Sequence, residues 1–218
     1  MGLREMKKQQ TRENISHQAT RLFLRHGFDR VTIADVAAAA QVAKMTVTNY
    51  FPRKEDLALD LHETFVSGPA RTVAERAPGE SALTALRRGL LDAVDRHDPV
   101  IGFSGAEFAR MITDSPALVA RLREFHEERE TALAAVLAEE TGARPGDVLP
   151  RLVAAQLGGV HRVLFQETLR RTLDGEDDHT IAAAVAESAR LAFDLLEPSL
   201  AAYAVRPVTR SGRPATPR

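Results

Sequence analysis

The chain has no cysteine and no tryptophan, and only two tyrosines and four lysines among its 218 residues. Without cysteine there are no disulfides and no thiolate metal sites. No apolar run approaches the ~20 residues of a membrane-spanning helix. The start, MGLREMKKQQ, lacks the apolar stretch of a secretory signal, and Met6 stands where a myristoylation motif needs Ser or Thr. The expectation is a cytoplasmic protein with no membrane partner. Catalytic signatures are missing as well. Neither G-x-x-x-x-G-K-[ST] nor G-x-G-x-x-G occurs, and Gly102-Phe103-Ser104-Gly105 has its second glycine one place too early for a nucleophile elbow. The seven histidines (His17, His26, His62, His97, His126, His161, His179) never fall three or four apart, so no single helix offers a metal a His pair. No enzyme, cofactor or metal is expected.

What is present is a helical core and an uneven charge. Apolar residues make up 44% and charged residues 27%, ordinary for a globular chain. The net charge of −1 hides an asymmetry: residues 1–58 carry +4, residues 59–203 carry −9, and 204–218 add four arginines. All four lysines (Lys7, Lys8, Lys44, Lys54) lie in the first 54 residues. A basic end on an acidic body suits one phosphate-facing end.

Within that basic end, residues 32–57 read TIADVAAAAQVAKMTVTNYFPRKEDL. Thr32 can cap a helix, and Ile33, Val36, Ala37 and Ala40 at i, i+3, i+4 and i+7 give it one apolar face. Gln41, Val42 and Ala43 turn the chain. A second short segment, Lys44 to Tyr50, then presents Lys44, Thr46, Thr48, Asn49 and Tyr50, while Val47 and Phe51 can turn inward. Two short helices across a tight turn, the second with a polar outer face, outline a helix-turn-helix. Donors and acceptors on that second face are what base edges and phosphates need. The competing reading of the same pattern is an ordinary polar surface helix.

The run Thr-Ile-x-Asp-Val-Ala-x-x-Ala, then Val-x-x-x-Thr-Val-x-x-Tyr-Phe, then Lys-Glu-x-Leu resembles the N-terminal signature of TetR-family transcriptional regulators. It is carried by Thr32, Ile33, Asp35, Val36, Ala37, Ala40, Val42, Thr46, Val47, Tyr50, Phe51, Lys54, Glu55 and Leu57, and the likeness covers roughly residues 11–57. Departures are Gln41 at the usual turn glycine, Ala43 where Ser is common, Met45 where Gly or Pro is common, and Thr48 where Tyr is common. The resemblance implies an all-α fold with a three-helix DNA-binding head and a larger helical body. It implies binding of double-stranded operator DNA as a homodimer, and a repressor released by a small-molecule effector. It implies Lys44, Met45 and Asn49 as base readers, with Thr32, Thr46, Thr48, Tyr50 and Lys54 as phosphate contacts.

Along the chain, residues 1–10 read as a mobile basic arm with Arg4, Lys7 and Lys8, and residues 11–53 as the helix-turn-helix domain. Residues 54–203 read as the effector-binding and dimerisation domain, and 204–218, with three prolines and four arginines, as a disordered tail. The spacing predicts helices from Thr11 to His26, from Lys54 with Leu57, Leu61 and Phe65 inside and an interruption near Gly68-Pro69, and from Ser81 to about Asp98. Further helices are predicted over Ile101 to Thr113, from Ser115-Pro116 to Thr141-Gly142, from Asp147 to Arg171, and from Asp178 to Glu197. The Asp147 helix carries a stripe of Leu152, Gln156, Val160, Leu164 and Thr168.

For the pocket that the resemblance implies, the candidates are Phe103, Phe108, Met111, Phe125, His126 and His161, and the expected effector is largely apolar. Phe and Met at helical spacing also suit plain core. Gly158-Gly159 sits inside a helix, where glycine costs up to ~1 kcal/mol each against alanine. A dimer-interface helix crossing would account for it, as would a kink or a ligand against the backbone. Two other functions stay open. A DNA-binding dimer with no effector needs no ligand-sized space in its body, and a helical enzyme would keep turnover after loss of Lys44 and Tyr50.

Overall fold

Helix boundaries fall where the sequence supplies caps. In the computed structural model, which describes residues 2–208, Thr32 opens the second helix with a capping box. Its Oγ1 accepts from Asp35 N at 3.2 Å while Asp35 Oδ2 accepts from Thr32 N at 2.8 Å. Ser81 and Ser115 cap two body helices through the Thr84 and Leu118 amides, and Gly142, left-handed, ends the longest one. The described residues form α1 (Leu3–His26), α2 (Ile33–Ala39), α3 (Lys44–Tyr50), α4 (Lys54–Ala58) and α5 (His62–Ala74). They continue as α6 (Ala82–Asp95), a 3-10 turn (Pro99–Ile101), α7 (Ala106–Asp114), α8 (Pro116–Thr141), α9 (Leu149–Leu173) and α10 (Asp178–Leu200). The fold is all-α, and among the described residues the sole β pairing is an isolated bridge between Ser81 and Val205. Among the described residues, no helix is long and apolar enough to cross a membrane.

Helices α1 to α3 form the head, and α5 and α8, α8 and α9, and α10 with both α6 and α9 are the main packed pairs of the body. Two apolar clusters result. One lies wholly in the body around Leu86, Leu133, Leu157, Val185 and Phe193. The other begins in the head with Ile15, Phe23, Val36, Val47 and Phe51 and runs on through Leu57, Phe65, Leu118, Phe125 and Phe165. A head under 60 residues is marginal alone; here it borrows the end of the body as core.

Several sequence expectations are corrected. Residues 3–10 are not an arm but the first turns of α1, since nothing in Leu3 to Gln10 breaks a helix. The tail begins docked: Arg206 N donates to Glu80 O at 3.0 Å and Gly79 N to Arg206 O at 2.8 Å. Buried Arg76 secures this edge, its Nη2 reaching Ala204 O at 2.9 Å and Glu140 at 2.8 Å. The rest of the expected tail, residues 209–218, lies outside the described residues. The helix after Lys54 breaks at Leu59–Leu61 rather than at Gly68-Pro69. Pro69 instead sits inside α5, where its missing N–H frees the carbonyl of Phe65. The guanidinium of Arg129 replaces the lost donor, Nε to O at 2.9 Å.

The expected α9 stripe is also wrong at one end. Leu152 is 52% exposed while Leu164 and Thr168 are buried. Residues four apart advance ~40° round a helix of 3.6 residues per turn, so five in a row wander from one face to another. Buried positions on α9 are instead Val153, Leu157, His161, Leu164 and Thr168.

The turn between α2 and α3 confirms a need that the sequence leaves unmet. Gln41 has φ 56°, a left-handed conformation in which a Cβ costs roughly 1 kcal/mol. Gln41→Gly is therefore expected to raise stability by up to about 0.5 kcal/mol after the added unfolded-state freedom of glycine is deducted. A higher urea midpoint at unchanged m-value checks it.

Candidate nucleic-acid interface and interior cavities

Because α3 is seven residues long, only one of its faces can be buried. Val47 is fully buried and Phe51 is 1% exposed, which leaves Lys44, Met45 and Asn49 outward. Met45 is 69% exposed, an apolar side chain held in water at the helix start. These three, expected as base readers, share the outer face. Thr46, Thr48 and Tyr50 stand half-buried at its margins. The Thr48 hydroxyl turns back to Met45 O at 3.1 Å, and that of Thr32 donates to Asp35 Oδ2 at 2.7 Å. Lys54, expected as a phosphate contact, has its ammonium 4.3 Å above the Phe28 ring and 3.4 Å from Asp29 O. It already ties α4 to the loop after α1.

Behind α3, the head is fastened to the body by charge. Arg121 on α8 donates from Nε to Asp56 Oδ1 on α4 at 2.8 Å, with both side chains under 15% exposed. Its Nη1 reaches Glu124 at 2.5 Å and Glu128 at 3.3 Å. Arg53 joins Glu124 at 2.7 Å, and His62 Nε2 lies 2.6 Å from Glu128. The Arg121 guanidinium also stacks 4.5 Å from the Phe125 ring centre.

Beside this seam lies a cavity of about 280 Å³. One wall is the α4–α5 break, Ala58 to His62, with Thr20 of α1; the other is apolar body, including Phe65, Phe108, Leu122, Phe125 and Phe165. A second cavity, about 160 Å³, lies between α5, α6, α8 and α9, lined by Thr64, Arg71, Thr72, Arg96, Arg129 and His161 among others. The six pocket candidates therefore separate. Phe108 and Phe125 line the first cavity, and His161 lines the second. Met111 lines a different cleft, with Phe23, Phe28 and Ser115. Phe103 belongs to the body core, its ring 5.0 Å from that of His97. His126 is packed edge-on between Phe65 and Phe165, at 5.0 and 5.7 Å.

Sequence reasoning missed Phe65 and Phe165 as lining, and it missed Arg129. The signal for Arg129 was available: Phe125, Arg129 and Leu133 run at i, i+4 and i+8, so a charge interrupts a buried stripe. The glycine pair separates as well. A Cβ on Gly158 would stand 2.5 Å from Glu130 Cγ of the same chain's α8, so the close approach there is internal. Gly159 faces outward, with only the far end of Arg162 at 3.9 Å.

The chain matches the family model described as bacterial regulatory proteins, tetR family, over residues 15–61, and the MftR C-terminal domain over residues 80–179. It is 30% identical over 213 residues to the HTH-type transcriptional regulator TcmR of Streptomyces glaucescens, covering 94% of this chain and 91% of that protein. In fold it is similar to SmeT in a complex with triclosan (TM-score 0.55, 15% identity, 95% of this chain and 99% of that one). It is likewise similar to native NalD, the secondary repressor of the MexAB-OprM multidrug efflux pump in Pseudomonas aeruginosa (TM-score 0.54, 20% identity, 85% and 97%).

His126 and His161 give the interior a pH signature. Burial first, and then the charge of Arg129, lowers each pKa to about 3. Between about pH 6.5 and 3 the unfolded chain binds protons at these positions that the folded chain refuses, so stability must fall as pH falls through that window. From pH 7.5 to 5.5 the loss is expected to be about 1–3 kcal/mol for the two together. Urea titrations at both pH values check this, and His126→Phe should remove about half of the difference.

Proposed function

Because the chain belongs to the TetR family of transcriptional regulators, we propose that it is a repressor that grips a palindromic operator as a homodimer and lets go when a small molecule fills its body. The observation that carries this reading is the position of the first cavity. Its wall includes the α4–α5 break, and α4 is the element held to the body through Asp56 and Arg121. A ligand that fills the space pushes on Ala58 to His62, and through them moves the head. A body serving only to dimerise has no need of such a cavity, and its presence supports the effector reading over a DNA-binding dimer without one. The mostly phenylalanine and aliphatic lining suits a largely apolar effector.

For the dimer, support comes from the outer faces of α9 and α10, which pack side by side. Leu152 and Val163 on α9 are 52% and 56% exposed, and Leu191 and Leu195 on α10 are 63% and 74%. Leu152, Gly159 and Val163 recur at i, i+7 and i+11, one line along α9. A contiguous apolar face rimmed by polar residues marks an interface, and a two-fold partner would present the same face in return. In this arrangement Gly159, not Gly158, is the glycine at the crossing. The two recognition helices would enter successive major grooves roughly 34–36 Å apart.

Selection from a random duplex pool tests the proposal directly: the enriched site should be an inverted repeat. Asn49→Ala should then cost ~1–3 kcal/mol on that site and relax the preference at one base step per half-site. An equal loss on every duplex would remove Asn49 from base reading. Leu195→Glu should keep full helicity by circular dichroism yet sediment as monomer and lose operator binding. A Leu195→Glu protein that stays dimeric places the interface elsewhere.

A further inference from the structure

Arg129 is 3% exposed, and among the described residues no carboxylate pairs with it. Its Nε serves the carbonyl that Pro69 left open, and its plane lies 3.5 Å from the Phe65 ring centre. One of five N–H groups is thus used, although a buried guanidinium normally has a carboxylate or several acceptors. Burial pushes its pKa down only to about 9, so it is charged at neutral pH.

Two further buried groups nearby lack partners. His126 stands three residues before Arg129 on α8, and His161 faces them from α9. They are 6% and 9% exposed, and the Nε2 atom of each has no hydrogen-bond partner. Buried polar atoms are seldom left so, and here two of them lie beside a guanidinium with unused N–H groups.

That place is open and carries excess positive charge. Arg129 and His161 line the 160 Å³ cavity together with Arg71, Arg96 and Asp98. Asp98 is occupied: it caps the 3-10 turn through Val100 N at 2.9 Å and lies 3.6 Å from Arg96. On the far side, Glu130 packs against Gly158 and forms no ion pair with Arg129. Val100 lines both this cavity and the apolar one at the seam. A polar, cationic chamber therefore adjoins an apolar one.

We propose that the effector is an amphiphile with a carboxylate, its anionic group received by Arg129 and the Nε2 atom of His161, with His126 packed behind them, and its apolar part lying in the cavity at the seam. This rests on the effector reading above and gives it a chemical class. The planar fork of a guanidinium matches a carboxylate with two parallel hydrogen bonds, and the His161 imidazole can donate once its tautomer adjusts. The anion would supply the counter-charge that the folded chain lacks.

The test titrates the full chain with decanoate and with 1-decanol, which share a chain and differ in charge, by calorimetry at pH 7.5. Decanoate should bind saturably and at least tenfold more tightly, and its addition should shift the imidazole resonances of His126 and His161. Arg129→Met should bring the two ligands to within twofold of each other, and Arg129→Lys, which keeps the charge but not the fork, should fall between. Equal binding of both ligands by the native chain, no binding of decanoate, or discrimination unchanged in Arg129→Met overturns the proposal. The native-chain comparison decides the matter even if a variant fails to fold. Release of the selected operator is measured alongside. If both ligands release it equally, the repressor reading stands and the carboxylate site falls. If decanoate binds through Arg129 without releasing DNA, the site stands and the effector reading falls.

Discussion

The apolar seam between head and body, where Leu57 and Phe65 meet Phe125 and Phe165, is the contact on which the other features rest. The helix-turn-helix cannot bury enough surface by itself, so its core continues into α8 and α9. The charged layer above the seam adds direction to this packing. Arg121 holds Asp56 of α4 in a largely buried pair, and removing one member of such a pair leaves a charge without compensation. The orientation of α3 is therefore set by residues 65 to 80 positions further along the chain.

Placing a cavity at such a seam has a mechanical consequence. Close-packed interiors respond to added volume by shifting between packings rather than by yielding smoothly. The α4–α5 break supplies the movable wall, because the helical ladder stops at Leu59 N, bonded to Glu55 O, and resumes only at Leu61 O, which accepts from Phe65 N. In the proposed mechanism, differential affinity of a ligand for the two packings is the whole source of the response.

The body interior shows how one backbone irregularity recruits a charge. Pro69 removes a donor inside α5, the carbonyl of Phe65 requires a replacement, and Arg129 provides it from α8. A guanidinium brought in for one hydrogen bond has four N–H groups left over. His126 and His161, kept neutral by burial, surround it with further unmet capacity. The buried charge in this chamber thus answers to a single proline.

Much of this protein was legible in the sequence because it depends on local chemistry. The capping box at Thr32 and Asp35, the Ser115-Pro116 start of α8, the Gly142 stop, the outward set Lys44, Met45 and Asn49, and the strained turn at Gln41 are all settled by residues within a few positions of one another. Tertiary structure decided the rest. Where the α4–α5 segment breaks and which half of the α9 stripe is buried both turn on partners distant in sequence. The pocket candidates show the same limit. Phe103 and Phe108 have like chemistry and periodicity, yet one is core and the other lines a cavity. Gly158 and Gly159 are neighbours, yet one meets Glu130 across a helix pair and the other faces outward. Periodicity states that a side chain is buried, but not against what, because the object it meets belongs to another stretch of chain whose position exists only once the whole has folded.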